Sequence, residues 1–173
     1  MHAAERNNLL AGLSHADEEL RRLAVEGVTQ LPAAEAIPLL IERLADASWR
    51  VRKAAVERLA ALPERNGAVN ALLGAIADGE NSGRRNAAVE ALTGCGRSAV
   101  PQLLAALEAA EVDVRKQVVD VLGAIGDARA NEAIARSLDD ADANVRAAAA
   151  DALAALGASS AAEPLRRACA NDS

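Results

Sequence analysis

Apolar residues recur along this chain with the period of one helix face, and the whole pattern returns about every 31 residues. Each repeat is marked by an arginine near the start of a predicted helix, with an acidic residue five positions later. The arginines are Arg21, Arg52, Arg85, Arg115 and Arg146, and the acids are Glu26, Glu57, Glu90, Asp120 and Asp151. A fixed period of this length predicts an array of stacked helical units rather than one globular core.

A second helical pattern precedes each arginine, so we predict two helices in every repeat, an outer helix followed by an inner helix. In each repeat, the residue four positions before the arginine lies between the two helices. These residues are Asp17, Ser48, Asn81, Glu111 and Asp142. Aspartate, serine and asparagine oxygens can accept bonds from the free N–H groups at a helix start, so four of the five suit the N-cap. The inner helices end before Pro32, Pro63, Gly96, Gly126 and Gly157. Proline and glycine at these positions stop a helix.

The predicted array begins and ends on an outer helix. The first outer helix covers Ala3 to Leu13, the next covers Ala34 to Ala45, and the last covers Ser160 to Ala170. The first inner helix covers Asp17 to Leu31. In total we predict six outer and five inner helices.

The third repeat is predicted to be the least stable. It has one extra residue between Ile76 and Arg85, with Gly79 and Gly83 assigned to this loop and Gly94 to the inner helix. A glycine inside a helix costs about 1 kcal/mol relative to alanine. We therefore expect this repeat to open before its neighbours.

The segments VRKAAVERLAAL, VRKQVVDVLGAIGD and VRAAAADALAALG resemble the short HEAT-like repeats named after phycobilisome lyases, and the likeness covers essentially all 173 residues. This resemblance implies an all-α fold, a right-handed α-solenoid of about five HEAT-like helix pairs plus a terminal helix. It also implies that the inner helices line a concave surface, the usual binding surface of solenoids. We expect a single domain over residues 1–173.

Enzymes that resemble this fold carry chemistry that the sequence lacks. Deoxyhypusine hydroxylases need several His-Glu pairs for two irons, whereas His2 and His15 are the only histidines and each precedes an alanine. Helical-repeat DNA glycosylases need a basic cleft lined by aromatic residues, and Trp49 is the one aromatic residue. Zinc, phosphate-loop and activated-nucleophile motifs are absent from the sequence. These observations favour a non-catalytic protein without a metal or cofactor.

The charge balance bears on the class of partner. With 19 Lys and Arg against 25 Asp and Glu, the formal net charge is −6, which argues against a general nucleic-acid or anionic-membrane surface. No apolar run approaches the roughly 18 residues of a membrane helix, and the first residues lack a signal-peptide pattern. We expect a soluble cytoplasmic protein.

Polar residues form a stripe along the predicted inner helices, one and five positions after the arginines. The candidate partner-binding residues are Trp49, Lys53, Glu57, Glu90, Lys116 and Asp120. One interpretation is a solvated face held by pairs four residues apart; the other is a surface that binds a protein or peptide with spaced basic residues. Trp49 is equally open to two interpretations, as packing over a neighbouring loop or as an interface anchor.

The five repeated arginines, which we call the arginine column, instead suggest a structural role. Loop acids such as Asp46, Asp78 and Asp140 recur near these arginines. We predict that the column bridges adjacent repeats through loop acids or carbonyls, so that Arg115→Ala destabilises the array.

The function that these features favour is a non-catalytic protein-interaction or assembly scaffold. The alternative, implied by the family resemblance, is an auxiliary subunit of a bilin lyase or a similar protein-modifying enzyme. A purely structural spacer is a third possibility. Membership of a fold does not choose among them.

Overall fold

The computed structural model describes residues 2–62, 65–77, 81–109 and 111–157. These residues form ten α-helices and contain no strand. The helices are α1 (Ala3–Leu13), α2 (Glu18–Gly27), α3 (Ala33–Arg43), α4 (Trp49–Ala61), α5 (Arg65–Ala77), α6 (Ser82–Cys95), α7 (Val100–Ala109), α8 (Val112–Ile125), α9 (Asn131–Arg136) and α10 (Ala143–Leu156). Short 3₁₀ helices cover Val28–Gln30, Gly96–Ser98, Ala128–Ala130 and Ser137–Asp139. Odd-numbered α-helices are the outer helices, and even-numbered ones are the inner helices.

The chain divides into two compact units, Met1–Cys95 and Gly96–Ser173. In the first unit α1 packs on α2, α3 on α4 and α5 on α6, while α2 packs against α4 and α4 against α6. In the second unit α7 packs on α8, α9 on α10 and α8 against α10. Each outer helix thus covers an inner helix, and inner helices within a unit meet in series, as in an α-solenoid.

The predicted all-α solenoid of HEAT-like helix pairs is confirmed, with five pairs in the described residues. The last predicted outer helix, 160–170, lies outside the described residues. The assignment of residues 1–173 to a single domain stays a prediction.

The repeated apolar columns supply the core of both units. Fully buried leucines and isoleucines at these positions include Leu40, Leu44, Leu59, Leu72, Leu92, Leu103, Leu122 and Ile134. Burying one such side chain contributes about 1.5 to 3 kcal/mol. Burial of these side chains therefore stabilises the packing of each helix pair.

Small residues let inner helices approach closely. A Cβ at Gly123 of α8 would lie 2.6 Å from the Cβ of Ala152 in α10, and a Cβ at Gly94 of α6 would lie 3.0 Å from that of Ala60 in α4. At Gly123 a larger side chain would overlap the facing helix. The glycines of the inner helices thus have a packing role beyond stopping a helix.

The helix ends follow the predicted signals closely. The carboxylate of Asp17 accepts bonds from the N–H groups of Glu19 and Leu20, and Asn81 and Asp142 cap α6 and α10 in the same way. The three glycines that follow inner helices have left-handed backbone, with φ values of 61°, 70° and 58° at Gly96, Gly126 and Gly157. L side chains adopt this conformation only at a cost, which explains why glycine stands there.

Three details of the prediction are wrong. Ser48 makes no capping bond; its N–H donates to the Asp46 carboxylate, which holds the turn before α4 instead. Gly83 belongs to the first turn of α6 rather than to the loop. The first inner helix ends at Gly27, with a 3₁₀ turn in place of its last α-helical turn. Leu31 is extended, at ψ 156°, because it precedes a proline.

Candidate partner-binding surface

A groove runs between the exposed faces of α4 and α6 in the first unit, and we call it the inner-face groove. Its volume is about 250 Å³, and its lining residues are Trp49, Arg52, Lys53 and Val56 from α4 and Gly83, Asn86, Ala87 and Glu90 from α6. On each helix these residues follow the spacing i, i+3, i+4 and i+7, so they form one stripe per helix. The two stripes face each other across the groove.

Trp49 stands at the mouth of the inner-face groove. The residue is 65% exposed, and the guanidinium carbon of Arg50 lies 5.9 Å from its ring centroid. Arg50 in turn lies 3.8 Å from a carboxylate oxygen of Glu18 on α2. A large aromatic surface is thus accessible beside Val56 and Ala87, which are buried.

An ion pair spans the inner-face groove from one helix to the other. The Lys53 Nζ atom of α4 lies 2.5 Å from the Glu90 Oε1 atom of α6. This hydrogen bond, followed by the charge of Glu90 and that of Glu57, raises the pKa of Lys53. Both partners are about half exposed, at 47% and 53%, so the pair adds little stability and is accessible to a ligand.

The remaining predicted residues divide between the two units. Glu57 is exposed on α4, one helical turn after Lys53. Lys116 and Asp120 belong to α8 in the second unit, where Lys116 Nζ lies 2.7 Å from Asp120 Oδ2. The structure brings Lys53 together with Glu90, and Lys116 together with Asp120. The expected pair between positions i and i+4 therefore forms in α8, whereas Lys53 bonds across to α6.

The arginine column makes two kinds of bond. Arg21 bonds Asp46 of the next repeat, with Nε–Oδ2 2.8 Å and Nη2–Oδ1 3.0 Å, and Arg115 bonds Asp140 with 2.8 Å at both contacts. The second kind joins Nη1 to carbonyls five and six residues earlier, with Arg52 bonding Asp46 and Ala47. Arg21 and Arg146 make the same carbonyl contacts in their own repeats. Arg85 holds the matching position on α6 and is half-buried.

The two bridging aspartates are shielded from solvent. Burial opposes the charge of Asp46, but the bonds from Arg21 and from the Ser48 N–H outweigh it and hold the pKa of Asp46 below its usual value. The bond from Arg115 is the main cause that lowers the pKa of Asp140. Both side chains are therefore anionic at neutral pH and fixed in the link between repeats.

Other features of the second unit were not predicted from the sequence. Asp127, 7% exposed, accepts bonds from the N–H, Nε and Nη2 of Arg129. A cleft of about 350 Å³ lies nearby, lined in part by Arg115, Arg129 and Arg136. Each of these arginines bonds to a carboxylate. The only sequence signal was the acid directly after Gly126, which is too common in turns to single out a cluster.

The described part of the chain holds neither a metal-ligand cluster nor a membrane-spanning helix. In residues 2–62, 65–77, 81–109 and 111–157, no three His, Cys, Asp or Glu side chains group as they would around a metal ion. No helix in the same ranges has the length and apolar character needed to cross a bilayer. Of the predicted partner-binding residues, Trp49, Lys53 and Glu90 line the inner-face groove.

Comparison with known proteins places the chain among helical repeat proteins. The profile of the HEAT repeats matches residues 7–93 and 100–173. A search of curated proteins finds no match. Among solved structures, one similar chain comes from the complex of CpcE and CpcF of phycocyanin lyase from Nostoc sp. PCC7120. It is 25% identical, with 86% of this chain and 63% of that chain covered and a TM-score of 0.45. This chain thus spans less than two thirds of the lyase chain.

Two engineered proteins of the Northeast Structural Genomics Consortium are also similar, each 21% identical to this chain. For one, the match covers 98% of this chain and 86% of the other, with a TM-score of 0.44. For the second, the match covers 97% and 51%, with a TM-score of 0.41.

Proposed function

This chain belongs to the HEAT repeat family, and on that premise we propose that it is a protein-binding or assembly module whose inner-face groove receives a helix or peptide of a partner protein. The observation that carries the proposal is the exposed Trp49 at the mouth of a two-helix groove. Isolated, accessible tryptophans are frequent anchors of protein interfaces, because they bury a large surface at little entropic cost. In helix-in-groove recognition a partner helix lays its apolar side chains into a groove on the receiving protein.

The chemistry of the groove defines the partner. Val56 and Ala87 form an apolar floor, Lys53 and Glu90 cross the groove, and Glu57 is an exposed acid one turn from Lys53. Because Glu90 is already paired, Glu57 is the acid with most to gain from a basic partner residue. We expect a segment that inserts an apolar side chain beside Trp49 and directs a lysine or arginine toward Glu57.

A pull-down with matched baits tests this proposal. Asn86 is exposed and lines the groove, so Asn86→Trp should fill the channel while leaving the fold unchanged. The control bait is Glu132→Lys, a charge reversal at a side chain that is 87% exposed on the outer helix α9. From an extract of the source cells, wild type and control should capture the same protein, and Asn86→Trp should lose it. Equal capture by all three baits would remove the groove from consideration.

The same experiment separates this role from the alternative. Recovery of a phycobiliprotein or a lyase subunit would favour an auxiliary subunit of a bilin lyase or a similar modifying enzyme. Recovery of an unrelated protein would favour a general assembly module.

A further inference from the structure

The outer helices α7 and α9 of the second unit line a cleft of about 350 Å³, which we call the outer cleft. Its wall combines apolar side chains, among them Leu104, Leu107 and Ala133, with charged ones that include Glu108 and Arg136. The volume lies near the lower end of the roughly 300–1,000 Å³ range of ligand sites. A space of this size suits a single long side chain.

The repeat register shows what fills the corresponding place in the first unit. Ser137 holds the position of Arg43, in the same register that relates Arg115 to Arg21. The Nη1 atom of Arg43 donates to the carbonyl oxygen of Leu13, 2.6 Å away, and the arginine side chain is only 13% exposed. An arginine is therefore packed between the ends of α3 and α1, where the second unit has a serine.

The surroundings of that arginine recur at the outer cleft. Leu107 and Asp140 line the cleft at the register positions of Leu13 and Asp46. Ser137 contributes only a short side chain, and its hydroxyl donates to the Ala133 carbonyl at 3.1 Å. The place that an arginine side chain fills in the first unit is therefore open in the second.

The charges of the outer cleft favour a cation, although three arginines line it. Each of these arginines is already paired with a carboxylate, Arg115 with Asp140, Arg129 with Asp127 and Arg136 with Glu132. Glu108 is a further acid of the described lining, 78% exposed and 3.8 Å from the Nη2 atom of Arg136, which is beyond hydrogen-bond distance. An entering guanidinium would thus gain a carboxylate partner, whereas an anion would have to displace one.

We propose that the outer cleft binds the side chain of an arginine presented by a partner protein, in the place that Arg43 fills in the first unit. The stem of this arginine packs on the apolar wall, while its guanidinium donates to the Leu107 carbonyl and pairs with Glu108. In the first unit the paired acid is Glu42, and Glu108 replaces it because Arg136 stands at the position of Glu42. Arginine suits the cleft better than lysine, since its planar fork makes several directed bonds at once.

Titration of the whole chain with N-acetyl-arginine amide, followed by NMR, tests this inference. Saturable amide shifts should appear at residues 104–108 and 132–137, and the neutral analogue N-acetyl-citrulline amide should bind at least about tenfold more weakly. Glu108→Gln should weaken binding of the arginine compound by about fivefold or more, while the control Asp151→Asn, at an exposed acid on the inner helix α10, should bind as wild type does. Ser137→Arg should abolish binding, because its own side chain fills the cleft.

Four results would overturn the proposal: no saturable shift at the cleft, equal binding of the citrulline compound, wild-type affinity in Glu108→Gln, or larger shifts of the same amides with inorganic phosphate. Much tighter binding of free L-arginine than of the blocked compound would also contradict it, since the site would then recognise the amino acid. Circular dichroism melts check that Ser137→Arg folds; if it does not, Glu108→Gln decides.

This inference goes beyond the proposed function. The outer cleft shares no residue with the inner-face groove, and its probe is a small molecule rather than the captured partner. Failure at one site therefore leaves the proposal for the other intact.

Discussion

Arg21 of the first repeat holds Asp46 of the second in a two-point ion pair, and the Nη1 atom of the same guanidinium bonds the carbonyls of His15 and Ala16. One side chain thus joins its own turn to the next repeat. The pair is well shielded, with side-chain exposures of 15% for Arg21 and 5% for Asp46. Because planar fork geometry matches the carboxylate, the link fixes orientation as well as distance.

Removing the acid of this pair should destabilise the first unit. Asp46→Ala deprives Arg21 of two bonds and the Ser48 N–H of one, so we expect a loss of about 1 to 3 kcal/mol in the free energy of unfolding. Urea melts measure it. The control is Glu35→Ala, which breaks an Arg6 pair that is about half exposed on both sides and should cost less than about 1 kcal/mol. Equal melts for Asp46→Ala and wild type would show that the arginine column is not structural.

Acid sensitivity should depend on Asp127. The side-chain bond from Arg129, with the Arg129 N–H, lowers the pKa of Asp127 to about 2. Since the folded pKa lies below the ordinary value of about 3.9, the stabilisation is present above pH 4 and is lost as the pH falls toward 2. Urea midpoints between pH 6 and pH 2.5 should therefore fall less steeply for Asp127→Asn than for wild type. The exposed Asp151 supplies the control, and Asp151→Asn should track wild type. Parallel curves for all three proteins would contradict the role of Asp127.

Two glycine-to-alanine substitutions should act in opposite directions. Gly74→Ala adds a Cβ with nothing within 4 Å in the interior of α5, so it should stabilise by up to about 1 kcal/mol. Gly123→Ala gains the same helix propensity but sets its Cβ 2.6 Å from that of Ala152. Overpacking costs about 1 to 3 kcal/mol, so the net change should be destabilising. Thermal melts of the two variants compare them; a stabilised Gly123→Ala would mean that α8 and α10 are not closely packed.

The fold was predictable because the same apolar positions and the same helix-terminating residues recur in each repeat. The exceptions come from contacts between residues distant in sequence or from turn chemistry. The sequence could not indicate that the Asp46 carboxylate, rather than Ser48, would hold the turn before α4. Nor could periodicity alone show that α2 would give way to a 3₁₀ turn after Gly27, where a Cβ would lie 2.5 Å from Leu9 of α1.

The third repeat should exchange its amide hydrogens faster than the fourth. The buried residues of α6 are Ala87, Ala88, Ala91, Leu92 and Cys95, whereas those of α8 are Val114, Val118, Val119, Val121 and Leu122. Each buried methylene contributes about 0.8 kcal/mol, so α6 gains less from packing than α8 does. Native-state hydrogen exchange should show earlier opening of α6. Equal or slower exchange there would refute the prediction that this repeat is weak.

The candidate site was only partly predictable. Trp49 is conspicuous because no other repeat has an aromatic residue at that position. The link from Lys53 to Glu90 crosses 37 positions in sequence, and the pattern suggested Glu57, four positions away, as the partner. The rotamer of Lys53 and the packing of α4 on α6 decide whether this lysine pairs with Glu57 or with Glu90. Neither the rotamer nor the packing can be inferred from sequence spacing alone.

The emission of Trp49, the one tryptophan of the chain, should report occupancy of the groove. At 65% exposure the free protein should emit as a solvated indole does, and a partner that covers the ring should shift the emission to shorter wavelength. Trp49→Ala should leave the melting temperature nearly unchanged but speed dissociation by roughly 30-fold, the cost of an interface anchor of about 2 kcal/mol. Emission that does not move at saturating partner would indicate binding elsewhere.

The most direct test is the affinity of the captured partner for Glu57→Lys compared with Glu132→Lys. Both variants reverse one exposed acid, the first on the inner helix α4 and the second on the outer helix α9. A positive charge one helical turn after Lys53, beside the groove, should repel the basic partner and weaken binding by about tenfold or more, mainly by slowing association at low salt, while the α9 control binds as wild type does. Equal affinities for the two variants, whether both weakened or both unchanged, would contradict the assignment of the inner-face groove as the binding site.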